Sequence, residues 1–257
     1  MVLTRSMAAR RTLLALPHDI VVEIAGHIAA SSPQPMEDIC SLRATCQATH
    51  AACKEGAVGR RVALEREHTM RWFEHDRYLA LVRNLAGAGN PEACFVLGLT
   101  LVFTQGRTGL GTDRLKRAAV AGHKAAAYVL GVLCYTNGET RDDAKRYIRQ
   151  IEAETAPDGG GVHGHGCKAA MKTNRECIRW RDQAVHAIRE VTWRMDREMV
   201  PVPVAPPEDE DDGQHCEGSG CGVPDGWNSG CAVFCSEGCR IRHEYFQFFS
   251  RVSLPAR

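Results

Sequence analysis

Apolar residues recur through most of this chain at steps of three and four, the spacing that lines side chains along one face of an α-helix. Near the start, Ile20, Ile24 and Ile28 form an i, i+4, i+8 stripe with Val21 beside it, and Pro17 suits the first turn of that helix. The Ser-Ser-Pro-Gln-Pro run at 31–35 ends it, and a second helical pattern runs from Met36 through Leu42, Cys46 and His50 to Cys53. Farther on, Cys177, Trp180, Ala184, Ile188, Val191, Met195 and Met199 share one face, which predicts a long helix over 168–200. Its Arg175, Arg179, Arg181 and Arg189 read as a solvated, charge-rich side. The pattern predicts a mainly α fold.

The middle of the chain repeats itself. Gly89-Asn90-Pro91-Glu92-Ala93 followed by Leu97-Gly98 returns, 33 positions later, as Gly122-His123-Lys124-Ala125-Ala126 followed by Leu130-Gly131. Ala86 and Ala88 likewise return as Ala119 and Ala121. Such a period belongs to stacked helical hairpins, in which small residues at fixed places let paired helices approach closely. The second helices of the hairpins are expected to begin at Asp113 and Asp142, 29 apart, with the turn between them shortened. The pattern G-[NH]-x-x-A-x-x-x-L-G resembles the Sel-like branch of the tetratricopeptide family, whose repeats serve as scaffolds for protein partners.

Composition divides what lies around the repeats. A glycine-dense run, Ala156 to Gly166, reads as a flexible joint, and Pro201 to Gln214 reads as a proline-rich, then acidic linker that holds the following module away from the body. The parts expected are therefore a tail at 1–15, amino-terminal helices at 16–62, helical repeats at 63–155, the joint at 156–167, the long helix at 168–200, the linker at 201–214 and a small module at 215–257. The tail is basic and acid-free, as mitochondrial presequences are, and reads first as a disordered segment.

Charge and motifs exclude several functions. The formal net charge of the 257 residues is +1, too small to hold a polyanion, and the acidic run from Glu208 to Asp212 would repel phosphate. Neither nucleic acid nor a membrane is an expected partner, and no apolar run approaches the ~20 residues of a bilayer span. No Gly-rich phosphate loop, HExxH or GxSxG motif is present, so an enzyme is not expected. The His163-Gly-His165-Gly-Cys167 cluster is set in glycines and is not expected to be more than an adventitious metal site.

The chain has 12 cysteines, and five of them, Cys216, Cys221, Cys231, Cys235 and Cys239, fall in its last 42 residues, with His243 one helical turn on. A segment that short buries too little apolar surface to fold by itself, and a metal ion can supply what the core lacks. Zinc takes four ligands at about 2.3 Å for sulfur, from pairs spaced two to four residues apart. Cys216-x4-Cys221 and Cys235-x3-Cys239 offer two pairs, with Cys231 or His243 as alternative ligands and Ser236 placed to cap a helix through Phe249. One closed, structural zinc site is expected, in a reducing compartment, cytosol or nucleus, where the other cysteines remain thiols. The aromatic residues Tyr245, Phe246, Phe248 and Phe249 are expected to pack against this knuckle.

Two further resemblances follow. Leu16-Pro17-x-Asp19-Ile20-Val21-x-Glu23-Ile24-x-x-x-Ile28, then Leu42-Arg43-x-x-Cys46, resembles an F-box, with Thr49 where many members carry tryptophan. That resemblance implies that Leu16, Pro17, Ile20, Ile24 and Ile28 contact a Skp-type adaptor of a cullin ubiquitin ligase, with Leu42 and Cys46 packing the second helix. Phe234-Cys235-Ser236-Glu237-Gly238-Cys239 resembles part of a MYND zinc finger, although the full ligand set of that finger is absent. F-box, Sel-like repeats and a cysteine-rich end together resemble a plant-type group of F-box proteins. That implies a non-catalytic subunit that brings an unknown target protein to an SCF-type ligase through the repeats or the zinc module. A scaffold using only repeats and finger is the alternative.

Overall fold

The computed structural model describes residues 16–136, 138–152, 172–193, 221–222 and 231–252. Among them the fold is helical throughout except for one pair of two-residue strands. The expected tail at 1–15, the glycine joint with its His163 to Cys167 cluster, and the linker at 201–214 lie outside the described residues. The chain forms two compact units, Met1–Cys94 and Phe95–Arg257, so the expected boundary at 62/63 falls inside the first.

The first unit opens with α1 (His18–Ser31), with Pro17 at its N-cap position. The helix turns two faces to different ends. Val21, Ala25 and Ala29 are buried, and these mostly small side chains let α2 (Pro35–Arg43), α3 (Gln47–Ala52) and α4 (Gly56–Arg61) pack closely on it. The second helical pattern is broken after Arg43, where Thr45 Oγ1 donates to the Leu42 carbonyl and Cys46 is fully extended. A single turn of 3-10 helix (Leu64–Arg66), α5 (His68–Phe73) and α6 (His75–Ala88) follow. Buried Asn90 closes the unit: its amide donates to the carbonyls of Gly59, Arg60 and Val62 at 2.8–3.2 Å, at the end of α4, where the last-turn carbonyls lack the usual intrahelical donors.

The repeat has a structural cause at each of its positions. Gly89 and Gly122 have φ of +90° and +91°, the left-handed turn that ends one helix and that other residues adopt at a cost. The next residue caps the following helix: Asn90 Oδ1 accepts from the Ala93 N–H at 2.9 Å, and His123 Nδ1 accepts from that of Ala126 at 3.1 Å. Asparagine and histidine alternate at this place because both present an acceptor to the first turn. The helices so started are α7 (Pro91–Leu99), which continues as a π-helical stretch through Thr104, and α9 (Lys124–Tyr135).

Within the second unit, α8 (Thr108–Val120) and α10 (Arg141–Glu152) supply the partner helices. Their starts lie 33 apart, as the first helices do, so the expected break to 29 at Asp113 and Asp142 does not occur; those aspartates are not equivalent positions. The buried faces confirm the register, since Gly111, Leu115 and Ala118 recur as Ala144, Ile148 and Ile151. A Cβ on Gly98 would come within 2.8 Å of Leu115, and one on Gly131 within 2.8 Å of Ile148. Glycine is required there because each branched side chain lies directly on the facing helix.

The carboxyl-terminal part corrects four expectations. The long helix is α11 (Arg175–Thr192), preceded by β1 (Lys172–Thr173), which pairs antiparallel with β2 (Val233–Phe234). Arg181, expected in solvent, is buried. The last helix, α12 (Glu237–Val252), is not held apart from the body: it packs on α9, α10 and α11. Its Tyr245, Phe248 and Phe249 are buried, with Phe248 edge-on to Tyr128 and Phe103 and Tyr245 beside Tyr135. Tyr245, Phe248 and Phe249 thus find their core in the repeats, because a two-residue strand and a knuckle offer no apolar area of comparable size, while Phe246 is 49% exposed.

Polar groups fix the placement of α12. Fully buried Glu244 accepts from Arg181 Nη1 at both oxygens (2.9 and 3.0 Å), from Asn174 Nδ2 at 2.8 Å and from the Tyr128 hydroxyl at 2.8 Å. Arg240, equally buried, donates to Glu152, Glu237 and the Thr173 carbonyl. Burial and the neighbouring Glu244 carboxylate push the Tyr128 phenol well above its ordinary pKa, so it stays a donor.

Gly111→Ala tests the close approach of the first hairpin. Its Cβ would lie 2.9 Å from the Gly98 carbonyl oxygen and 3.1 Å from the Val102 nitrogen, backbone atoms that cannot swing aside. Urea unfolding should show a loss of about 1–3 kcal/mol from overpacking despite the gain of up to ~1 kcal/mol in helix propensity. An unchanged or raised midpoint would contradict the packing.

Candidate functional site

Two groups of residues carry chemistry that the core does not use. The first is the outer side of α1. Leu16 and Ile20 are 41% and 46% exposed, Pro17 is exposed, and Ile24 and Ile28 are half-buried along the flank of the same helix. Leu42 and Cys46 are also half-buried. The inward stripe is offset by one residue, at Val21, Ala25 and Ala29, so the apolar residues predicted as a docking stripe are not those that hold the helix in place. Small inward residues bring the neighbouring helices close, while the larger isoleucines point elsewhere.

Polar contacts set the frame of this face. Arg61 forms a two-pronged pair with Glu23 at 2.6 and 3.1 Å, and its side chain crosses α1 at Gly26, where a Cβ would come within 2.8 Å of the guanidinium. Hydrogen bonding from Arg61 and its charge hold the Glu23 carboxyl below its usual range. Cys46 is the N-cap of α3: Thr49, three residues on, accepts from the Cys46 N–H at 3.2 Å and lies 3.3 Å from its sulfur. Those Thr49 contacts lower the Cys46 thiol pKa. Thr49 is itself buried and also bonds Thr45 Oγ1 at 2.8 Å, so threonine here performs a reciprocal helix cap that tryptophan could not.

The second group is a set of thiols. Cys221, Cys235 and Cys239 have sulfurs all within 4.8 Å of one another, with Cys235 and Cys239 3.5 Å apart. The edge of a tetrahedron with zinc–sulfur arms of 2.3 Å is about 3.8 Å, so the three sulfurs are spaced as ligands of one ion. The chain builds this from short pieces. Gly222 N–H donates to the Val233 carbonyl at 2.7 Å, folding Cys221 back beside β2, and Cys235 follows that strand directly. Ser236 then accepts from the Cys239 N–H at 3.1 Å, the cap expected from the sequence. Cys235 and Cys239 therefore flank a helix start.

Of the other expected ligands, Cys216 lies outside the described residues. Neither Cys231 nor His243 belongs to this close group. Cys231 is buried, and the His243 ring lies 5.0 Å from that of Phe234, with its pKa lowered chiefly by burial. The residues that sequence reasoning missed are Asn174, Arg181, Arg240 and Glu244, which seat the thiol-bearing helix. A lone arginine within a basic face gives no sign of its burial.

Comparison with known proteins adds two findings. Residues 65–174 match a family model described as plant tetratrico peptide repeats. The chain is also 30% identical over 137 residues to an Arabidopsis thaliana protein named as an F-box protein. That alignment covers 53% of this chain and 45% of the relative, so the chain spans less than half of the relative's length. No solved structure matches. Over its middle the chain is similar to plant repeats, and over about half its length to an F-box protein.

Cobalt(II) added to the chain should give the thiolate charge-transfer absorption of a cysteine-rich site. Cys239→Ser should weaken binding by more than the ~10–100-fold that losing an outer contact costs a metal site. Absence of that absorption in the unmutated chain would remove the site.

Proposed function

We propose that this protein is a non-catalytic substrate-recognition subunit of an SCF-type ubiquitin ligase. The observation that carries the reading is the outer side of α1: it presents Leu16, Pro17 and Ile20 to solvent, with Ile24 and Ile28 beside them, although a different stripe of the same helix already anchors it. Exposed leucine and isoleucine grouped at the start of one helix fit a surface that another protein would cover. The similarity to a protein named as an F-box protein supports the same reading, with the first 62 residues as the F-box and a Skp-type adaptor as the partner.

The remaining parts follow from that assignment. The repeats and the carboxyl-terminal module would hold a target protein near the ubiquitin-charged enzyme, so that the rate gain comes from proximity. One zinc held by Cys221, Cys235, Cys239 and a fourth ligand, Cys216 by spacing, would be structural, since a closed thiolate site leaves no position for water. It would cross-link the Cys221 segment to the Cys235–Cys239 turn, reinforcing the Gly222 N–H bond to the Val233 carbonyl. The complex would work in the cytosol or nucleus. Among the described residues no helix is long and apolar enough to cross a membrane. The scaffold reading is favoured by the family match, which covers the repeats and not the first helix.

Co-expression with a Skp-type adaptor separates the two. The ligase reading expects a soluble complex that Ile20→Asp weakens by at least ~2 kcal/mol, the scale of an interface hot spot. Because Ile20 is largely exposed, the variant's melting temperature should stay that of the parent chain. Failure of the parent chain to bind the adaptor would leave the scaffold reading.

A further inference from the structure

The first helix of the second hairpin, α9, is buried on every side. Every side chain from Ala125 to Leu130 is inaccessible, as is Val132. A helix in a stack of hairpins ordinarily keeps one face for solvent or a partner, and one that is apolar all round must be covered all round. The stack itself supplies α8 and α10; the remaining side is covered by α11 and α12. α12 meets it as a bound amphipathic helix would, with Ile241, Tyr245, Phe248 and Val252 buried and Glu244 bonded to the α9 hydroxyl of Tyr128 at 2.8 Å.

The thiol group lies at the start of this same helix. Glu244 follows Cys239 by five residues, little more than one turn, so whatever fixes the Cys235 to Cys239 turn also fixes where the Glu244 carboxylate enters the core. That carboxylate is costly to bury unless it meets Arg181, Asn174 and Tyr128 in register. The β1–β2 ladder that leads into α12 is only two residues long, too short to be stable alone.

We propose that α12 is a tethered plug on the partner-binding face of the repeats, latched in place by metal ligation at its thiol-bearing end. With Cys221, Cys235 and Cys239 ligated, Glu244 is seated and the α9 face is closed. With the thiols unligated, α12 loosens and uncovers Tyr128, Tyr135 and Phe103, a face fitted to an amphipathic helix of another protein that carries a carboxylate opposite Arg181. The proposal rests on reading the thiol group as a metal site.

Hydrogen exchange of the full chain tests it, with metal content measured separately by elemental analysis. Stripping zinc with a chelator should speed exchange in α9 and α12 by about tenfold or more, equivalent to ~1.4 kcal/mol of local opening, and adding zinc back should reverse it. Exchange in α1 and α8 should stay unchanged. Glu244→Gln, with zinc still bound, should reproduce the α9 effect. Unchanged α9 exchange on stripping a chain shown to contain zinc would overturn the latch and leave the metal site standing, as would equal loosening of α8. A chain that binds no zinc would overturn both.

Discussion

A carboxylate taken wholly out of water constrains the second unit. Removing Glu244 from solvent costs several kcal/mol, and the cost is offset only where a cation and further donors meet it with good geometry. Arg181 supplies the charge, while Asn174 and Tyr128 fill the other lone pairs, and the four groups come from four segments: α11, the residue before it, α9 and α12. Sliding α11 or α12 by a turn would strand a charge. This one cluster therefore sets α11 and α12 on the repeats and makes the thiol knuckle part of the same folded unit. Arg240, about one turn earlier on α12, adds a second buried charge cluster that ties the helix to Glu152 and to the Thr173 carbonyl.

The first unit solves the opposite problem. Its opening helix is anchored through alanines and one valine, which contribute little apolar area each but allow helices to approach closely. The larger apolar side chains are left on the outside, framed by the Arg61–Glu23 pair and the Thr49 cap. The last helix spends its large hydrophobes on its own unit, whereas α1 carries its isoleucines on the outer flank.

Much of this was legible in the residues. The helical period located the helices, and the 33-residue repeat was visible because each conserved-spacing residue answers a local need: glycine for a left-handed turn, asparagine or histidine for a cap acceptor, glycine again for close helix approach. Ser236 as a cap and the Cys235–Cys239 spacing were legible for the same reason, since both depend on neighbours within one turn. Spacing failed where long-range packing decides. Asp113 and Asp142 both look like helix starts, but the facing helices set the register through Leu115 and Ile148. Arg181 carries the same local signature as the exposed arginines near it, and only Glu244, 63 residues away, accounts for its burial. The acidic, proline-rich stretch suggested a detached module, but the aromatic face of α12 has more apolar area to cover than a small knuckle can offer.

We propose that this chain keeps one apolar surface open for another protein while closing the other against its own last helix. Carbene footprinting of the full chain, read by mass spectrometry with and without a purified Skp-type adaptor, measures both surfaces at once. The account predicts strong labelling of Leu16 and Ile20 that falls when adaptor is added, with α9 unlabelled in either case. Labelling of α1 that ignores the adaptor, or ready labelling of α9 in the zinc-loaded chain, would contradict it.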